Sequence, residues 1–208
     1  MSIRSAVCAG LLALVLNATA VGHALAADRN IDDFRSGSPH RGLRQEERGS
    51  KARSEARLLS VIGGQRRLTI TATEIGLADV DAVSTQLEPT GALLNYASSE
   101  GADGKLELSY DAGGRKLGLD VSANLSLKVL VADSDEAAVP YSVTLTLTDQ
   151  SGRKAGATQV VSAPGPQTVD FRLANFPRLD RRRLAAITVV VDPQPAGDLQ
   201  LSRIWLTQ

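Results

Sequence analysis

Over residues 141–148 every second residue is apolar. Tyr141, Val143, Leu145 and Leu147 alternate with Ser142, Thr144, Thr146 and Thr148. A period of two belongs to a strand with one face in a core and the other in water. The run stops at Asp149-Gln150-Ser151-Gly152, a turn signal in which glycine supplies a positive φ.

The same alternation recurs in Leu68-Thr69-Ile70-Thr71-Ala72-Thr73 and in Lys105-Leu106-Glu107-Leu108-Ser109-Tyr110, the latter ending at the turn signal Asp111-Ala112-Gly113-Gly114. Further strands are expected over 117–121, 125–131, 157–161, 167–173, 185–192 and 199–206. Turn clusters such as Ala163-Pro164-Gly165-Pro166 and Asp192-Pro193-Gln194-Pro195 separate them. No helical period intervenes, so the crossover helices that parallel strands require are missing. Many short strands at near-regular spacing predict an all-β chain built as a single antiparallel β-sandwich over residues 58–208. No internal repeat or second domain is visible.

Ile31-Asp32-Asp33-Phe34 reads as a short first strand of the same sandwich. Residues 35–57 are rich in Arg, Ser, Gly and Glu with almost no large apolar side chain, which predicts a long solvated basic loop. A helical turn over 52–59 is the alternative there, with a thin apolar face.

The first residues have the organisation of an export signal. Arg4 precedes an apolar stretch over 6–20, and Ala24-Leu25-Ala26 places small residues where a signal peptidase reads. The stretch is short for a membrane span, which needs about 20 residues. Residues 1–27 are therefore expected to be removed, leaving a secreted or periplasmic chain with no membrane span. Cys8, the one cysteine, lies inside that segment. An exported domain without disulfides rests on its core alone, and about 180 residues suffice to build one.

Losing Arg4 shifts the formal net charge from +0 to −1. Nothing global draws such a chain to nucleic acid.

Five segments, in chain order, resemble the galactose-binding-like jelly rolls of secreted bacterial proteins. These are Ile31-Asp32-Asp33-Phe34, Gly63-Gly64-Gln65-Arg66-Arg67, Leu108-Ser109-Tyr110-Asp111, Leu117-Gly118-Leu119-Asp120-Val121 and the closing run 198–206. The family includes domains akin to complex I intermediate-associated protein 30 and carbohydrate-binding modules. The resemblance implies a jelly roll whose first and last strands lie side by side. It also implies a non-catalytic binding role, with a carbohydrate or cell-envelope glycan as ligand and a structural or protein-interaction domain as the alternative. A structural calcium near the meeting of the end strands is a further implication, for which Asp32, Asp33 and Asp198 are the candidates. The long basic insertion after Phe34 and the low aromatic content depart from the pattern.

The chemistry-bearing residues are few. Outside the leader there is one histidine, His40, and no cysteine, so a nucleophile–imidazole pair or a zinc site lacks its parts. Paired carboxylates remain for glycoside hydrolysis, drawn from Asp32, Asp33, Asp111, Asp120 and Asp192, but most fall at strand ends and turns, where Asp is common for backbone reasons. The acidic run Asp133-Ser134-Asp135-Glu136 reads as a solvated turn. Arg66 and Arg182, from two basic clusters, are candidates for holding an acidic group bidentately, with a solvated face as the plainer reading. Trp205 is the aromatic candidate for stacking on a sugar. If Ile204 and Leu206 are buried it faces outward, and otherwise it is core, the commoner arrangement.

Overall fold

The computed structural model describes residues 28–35, 43–45, 48–74, 80–82, 87–88, 91–98 and 101–208. The leader and His40 lie outside the described residues, as do 36–42 and 46–47 of the expected basic loop.

The alternating run forms β11 (Tyr141–Asp149), whose burial alternates without a break. It hairpins through the predicted turn into β12 (Lys154–Val161), with Gly152 at φ 85°. On its other side lies β14 (Leu184–Asp192), followed by β9 (Asp103–Tyr110), β4 (Gln65–Glu74) and β3 (Lys51–Arg57). The six-stranded sheet thus has the order β12-β11-β14-β9-β4-β3. A second sheet has the order β1-β15-β10-β13. It is built from β1 (Arg29–Asp32), β10 (Ser126–Ser134), β13 (Gln167–Arg172) and β15 (Leu199–Thr207), and β8 (Leu94–Tyr96) also pairs with β15. Two short pairs complete the described strands: β2 (Leu43–Gln45) with β5 (Val80–Ala82), and β6 (Leu87–Glu88) with β7 (Gly91–Ala92). All these pairings are antiparallel.

The two large sheets face each other as a sandwich, the arrangement of a jelly roll. Their inner faces share one apolar cluster: Leu68, Ile70, Leu106, Leu108, Val143, Leu145, Ile187 and Val189 from one sheet, Leu127, Val129, Val169, Phe171, Leu201 and Ile204 from the other. As expected, the end strands lie side by side, with Asn30 opposite Trp205.

Two expectations are corrected. Residues 51–57 are a strand and not a loop or helical turn. Lys51, Arg53, Glu55 and Arg57 face out while Ala52, Ser54 and Ala56 are half-buried, so the period of two is present but carried by residues too small to register as apolar. Conversely, 117–121 is not a strand and makes only an isolated bridge, Leu119 to Leu184. Lys116 and Gly118 have φ of 68° and 62°, which breaks the extended path.

Candidate functional site

β15 carries an irregularity that decides what the protein presents to solvent. Leu199 and Leu201 point into the core, so strict alternation would also bury Arg203 and Trp205. Instead the register with β10 shifts, Leu130 facing Arg203 while Val131 faces Leu201. The extra residue, Ser202, forms a bulge that reverses the parity of everything after it. Ile204 and Leu206 become the buried pair, and Arg203 and Trp205 turn to the outer face. The placement of Trp205 in the core, which the sequence favours, is thereby overturned. Every aromatic residue of the chain lies among the described residues, and Trp205 is the only one not buried.

Around Trp205 the register assembles a polar row across the sheet. Asn30 of β1 and Lys128 of β10 flank it directly, and Lys128 faces Asp170 of β13, its Nζ 3.7 Å from the carboxylate. The Arg203 guanidinium lies over the indole, 5.0 Å from the ring centroid. This cation–π contact favours that placement of the guanidinium. Arg203 Nε also donates to Asn30 Oδ1 at 3.4 Å. Beside this pair runs an open groove of about 470 Å³, lined by Asn30, Asp33, Arg35, Ser202 and Arg203 with Leu93 and Leu130. Asp33 is fixed there by accepting the Arg35 backbone N–H at 3.0 Å.

The neighbouring Asp32 does different work. Its carboxylate is buried and accepts from Arg66 Nη1 (2.9 and 3.1 Å), from the Tyr110 hydroxyl (3.0 Å) and from the Phe34 backbone N–H (2.9 Å). Arg66 is itself fully buried, with its guanidinium 5.2 Å from the Phe34 ring centroid. Burial pushes the Asp32 carboxyl above the ordinary carboxylate range against the pull of Arg66. This cluster locks the first strand to the sandwich.

Arg66 is therefore not a surface ligand contact, because it spends its charge inside. Arg182 is exposed, with its backbone N–H on Asp180 Oδ1 (3.1 Å), and sits close enough to Asp120 to help lower that carboxyl, which the Ser122 N–H lowers most. It does not line the groove beside Trp205.

The calcium trio does not assemble either. The end strands do pair, but Asp32 stands opposite Ile204, whereas Asp198 precedes the far end of β15. Six residues of strand separate those levels, about 20 Å at about 3.3 Å per residue. Asp198 instead shares a depression of about 320 Å³ with Asp133 and Asp135. Burial, then the charge of Asp135, raises its carboxyl. Asp135 Oδ1 is occupied by the backbone N–H groups of Ala138 (2.7 Å) and Asp198 (3.1 Å). Among the described residues no three His, Cys, Asp or Glu side chains converge on a metal position.

The carboxylates weighed for hydrolysis are likewise engaged. Asp111 pairs with Arg67 (3.2 Å) and Asp192 with Lys105 (2.6 Å), while Asp120 accepts from the Ser122 N–H (2.8 Å). Among the described residues no helix is long and apolar enough to cross a membrane.

No protein-family model matches the chain, and no curated protein does. Among solved structures it is similar to a family 11 carbohydrate-binding module from Clostridium thermocellum in complex with a β-1,3-1,4-mixed-linked tetrasaccharide. The identity is 12%, with 86% of this chain and 95% of that one covered and a TM-score of 0.42. A family 30 module of a cellulosomal cellulase of the same organism gives 16% identity, coverage of 88% and 98%, and a TM-score of 0.43. TmCBM61 in complex with β-1,4-galactotriose gives 12%, 67%, 88% and 0.39. At these identities and scores no ligand transfers from one to the other, and the fold assignment rests on the strands and sheets described above.

Proposed function

We propose that this chain is a non-catalytic carbohydrate-binding module whose ligand lies on the outer face of the five-stranded sheet, across Trp205 and the adjoining groove. The observation that carries this reading is the bulge at Ser202, which turns the chain's one unburied aromatic ring outward beside a polar groove. A sugar offers an apolar C–H face and a rim of hydroxyls. An indole meets the first, and Asn30, Asp33, Ser202 and the two arginines Arg35 and Arg203 meet the second. The arginines favour saccharides that carry carboxylates, because a stacked guanidinium presents its donors edge-on. A single ring predicts weak binding. In this reading the leader over residues 1–27 carries the domain out of the cytoplasm, which N-terminal sequencing of the exported protein checks.

The test is a glycan array followed by titration calorimetry on the best ligand. Trp205→Ala lowers affinity about tenfold or more, corresponding to about 1.4 kcal/mol, while leaving the thermal midpoint close to that of the parent. Arg203→Met weakens carboxylate-bearing glycans more than neutral ones. An array blank for both classes, or binding indifferent to Trp205, removes the proposal. The protein-interaction reading would then rest on a different surface.

A further inference from the structure

The sandwich exposes several strand edges among its described residues, and it treats them unequally. An open edge offers unpaired N–H and C=O groups to any other strand, and proteins blunt it with charge, proline, bulges or brevity. β3 carries exposed charges at Lys51, Arg53, Glu55 and Arg57. β13 follows Pro166 and exposes Asp170 and Arg172. β1 is four residues long with a register shift. β12 has none of these devices beyond Lys154 at its start: Ala155-Gly156-Ala157-Thr158-Gln159-Val160-Val161 is uncharged and free of proline. Its pairing with β11 runs from Tyr141 opposite Val161 to Thr148 opposite Lys154 without a shift.

The ladder fixes which backbone groups face out. Asp149 N–H donates to Arg153 C=O (2.9 Å), so the odd-numbered residues of β12 direct their backbone groups at β11. Lys154, Gly156, Thr158 and Val160 direct theirs away. The close Thr144–Thr158 hydroxyl contact of 2.9 Å is what a non-hydrogen-bonded pair of the ladder produces.

We propose that β12 is a self-association surface, pairing antiparallel with β12 of a second copy about a two-fold axis through Ala157. One register uses all four outward residues. It sets Gly156 against Thr158 and Lys154 against Val160 of the second copy, each pair exchanging two backbone hydrogen bonds. Ala157 meets itself across the axis, where a small side chain is what a close non-hydrogen-bonded pair accepts. The strand's one charge never faces its own image. Val160, 65% exposed in the single chain, is covered by the aliphatic stem of the other Lys154. An isologous contact of this kind closes at two copies. The two six-stranded sheets become one, and two Trp205 faces are carried by one particle, which strengthens weak single-site binding to a polymer. The pairing itself does not depend on the saccharide reading.

Sedimentation equilibrium of the purified protein is expected to give twice the chain mass at high concentration. Thr158→Pro blocks the outward edge yet removes no bond of the β11–β12 ladder, so it halves the mass with little change in thermal midpoint. In a Cys8→Ser background, Ala157→Cys forms an oxidised cross-linked dimer, whereas Ala155→Cys, which would face Gln159 of the second copy, does not. Should Thr158→Pro fail to fold, the contrast between the two cysteine variants decides. A protein monomeric at every concentration, a dimer indifferent to Thr158→Pro, or cross-linking equal at 155 and 157 overturns the proposal. So does a monomer that captures extended peptides on this edge.

Discussion

Single side chains here settle questions that composition leaves open, and Asp149 is the clearest. It ends β11, is inaccessible to solvent, and accepts five hydrogen bonds. Oδ1 takes the Ser151 hydroxyl (2.6 Å) and the N–H groups of Ser151 (2.9 Å) and Arg153 (3.1 Å). Oδ2 takes Arg153 Nε (2.8 Å) and the Asp180 N–H (3.1 Å). These donors, the Ser151 hydroxyl foremost, hold its carboxyl well below the ordinary carboxylate range. The folded pKa lies below the unfolded one, so the stabilisation is present above about pH 4 and is lost as pH falls towards the folded value. Asp149→Asn should be less stable than the parent in urea at about pH 6, and should lose less further stability on going to about pH 3. Equal losses in both proteins would show that Asp149 does not carry the acid sensitivity. The turn at 149–152 was legible in the sequence, but Asp180, which reaches the same carboxylate from a distant loop, was not. Arg66 was misplaced for a similar reason. A sequence shows an arginine in a basic cluster, and only the fold shows that Asp32, 34 residues away, lies beside it.

At the level of the strand, alternation was readable wherever the inward residues were large and the register held along the run, as in β4 up to Ala72, β9 from Gly104, β11 up to Thr148 and β14 from Ala186. It failed where either condition lapsed. β3 hides its period behind Ala52, Ser54 and Ala56, and β15 changes phase at its bulge. A signal for the bulge does exist, since Leu199, Leu201, Ile204 and Leu206 are spaced by two, three and two residues. A three-residue gap in an otherwise alternating run marks the extra residue. Deleting Ser202 removes the extra residue and leaves Leu199, Leu201, Ile204 and Leu206 in strict alternation, all still facing the core, with Arg203 and Trp205 outward. Flattening the bulge with Ser202 retained would instead send Ile204 and Leu206 to water at a cost of about 3–6 kcal/mol, before Arg203 is pushed inward. That approaches the whole stability of a domain of this kind, so the strand keeps its bulge while the extra residue is present, and the deletion variant, which needs no bulge, is expected to fold. Ser202→Gly, which keeps the count, is expected to fold with Trp205 still solvent-accessible to quencher. A deletion variant that does not fold, or whose Trp205 is shielded from quencher, would mean that Ser202 is not the residue that sets the phase.

Across the whole molecule, β15 is where the parts meet. It pairs with β10 in the middle of its sheet and with both β1 and β8 on its other side, and its inward residues enter the cluster shared with the six-stranded sheet. β1 brings Asp32 to Arg66 on β4 and Tyr110 on β9, so the first strand is tied to both layers. A chain with one cysteine has no disulfide of its own to add. Its stability therefore comes from one core, and the two sheets are expected to unfold together. Trp205 tests this from an informative position, because it sits on the outer face of one sheet while most strand residues lie elsewhere. Its fluorescence and the far-ultraviolet circular dichroism should give the same denaturation midpoint, unmoved by reductant. Ile204→Ala, a cavity on the opposite face of β15 from the indole, should cost about 2–5 kcal/mol and shift both midpoints equally. Were the fluorescence transition to move alone, the five-stranded sheet would be opening separately from its partner. The Trp205 face would then be an ordered surface only part of the time, and saccharide affinity would fall with it.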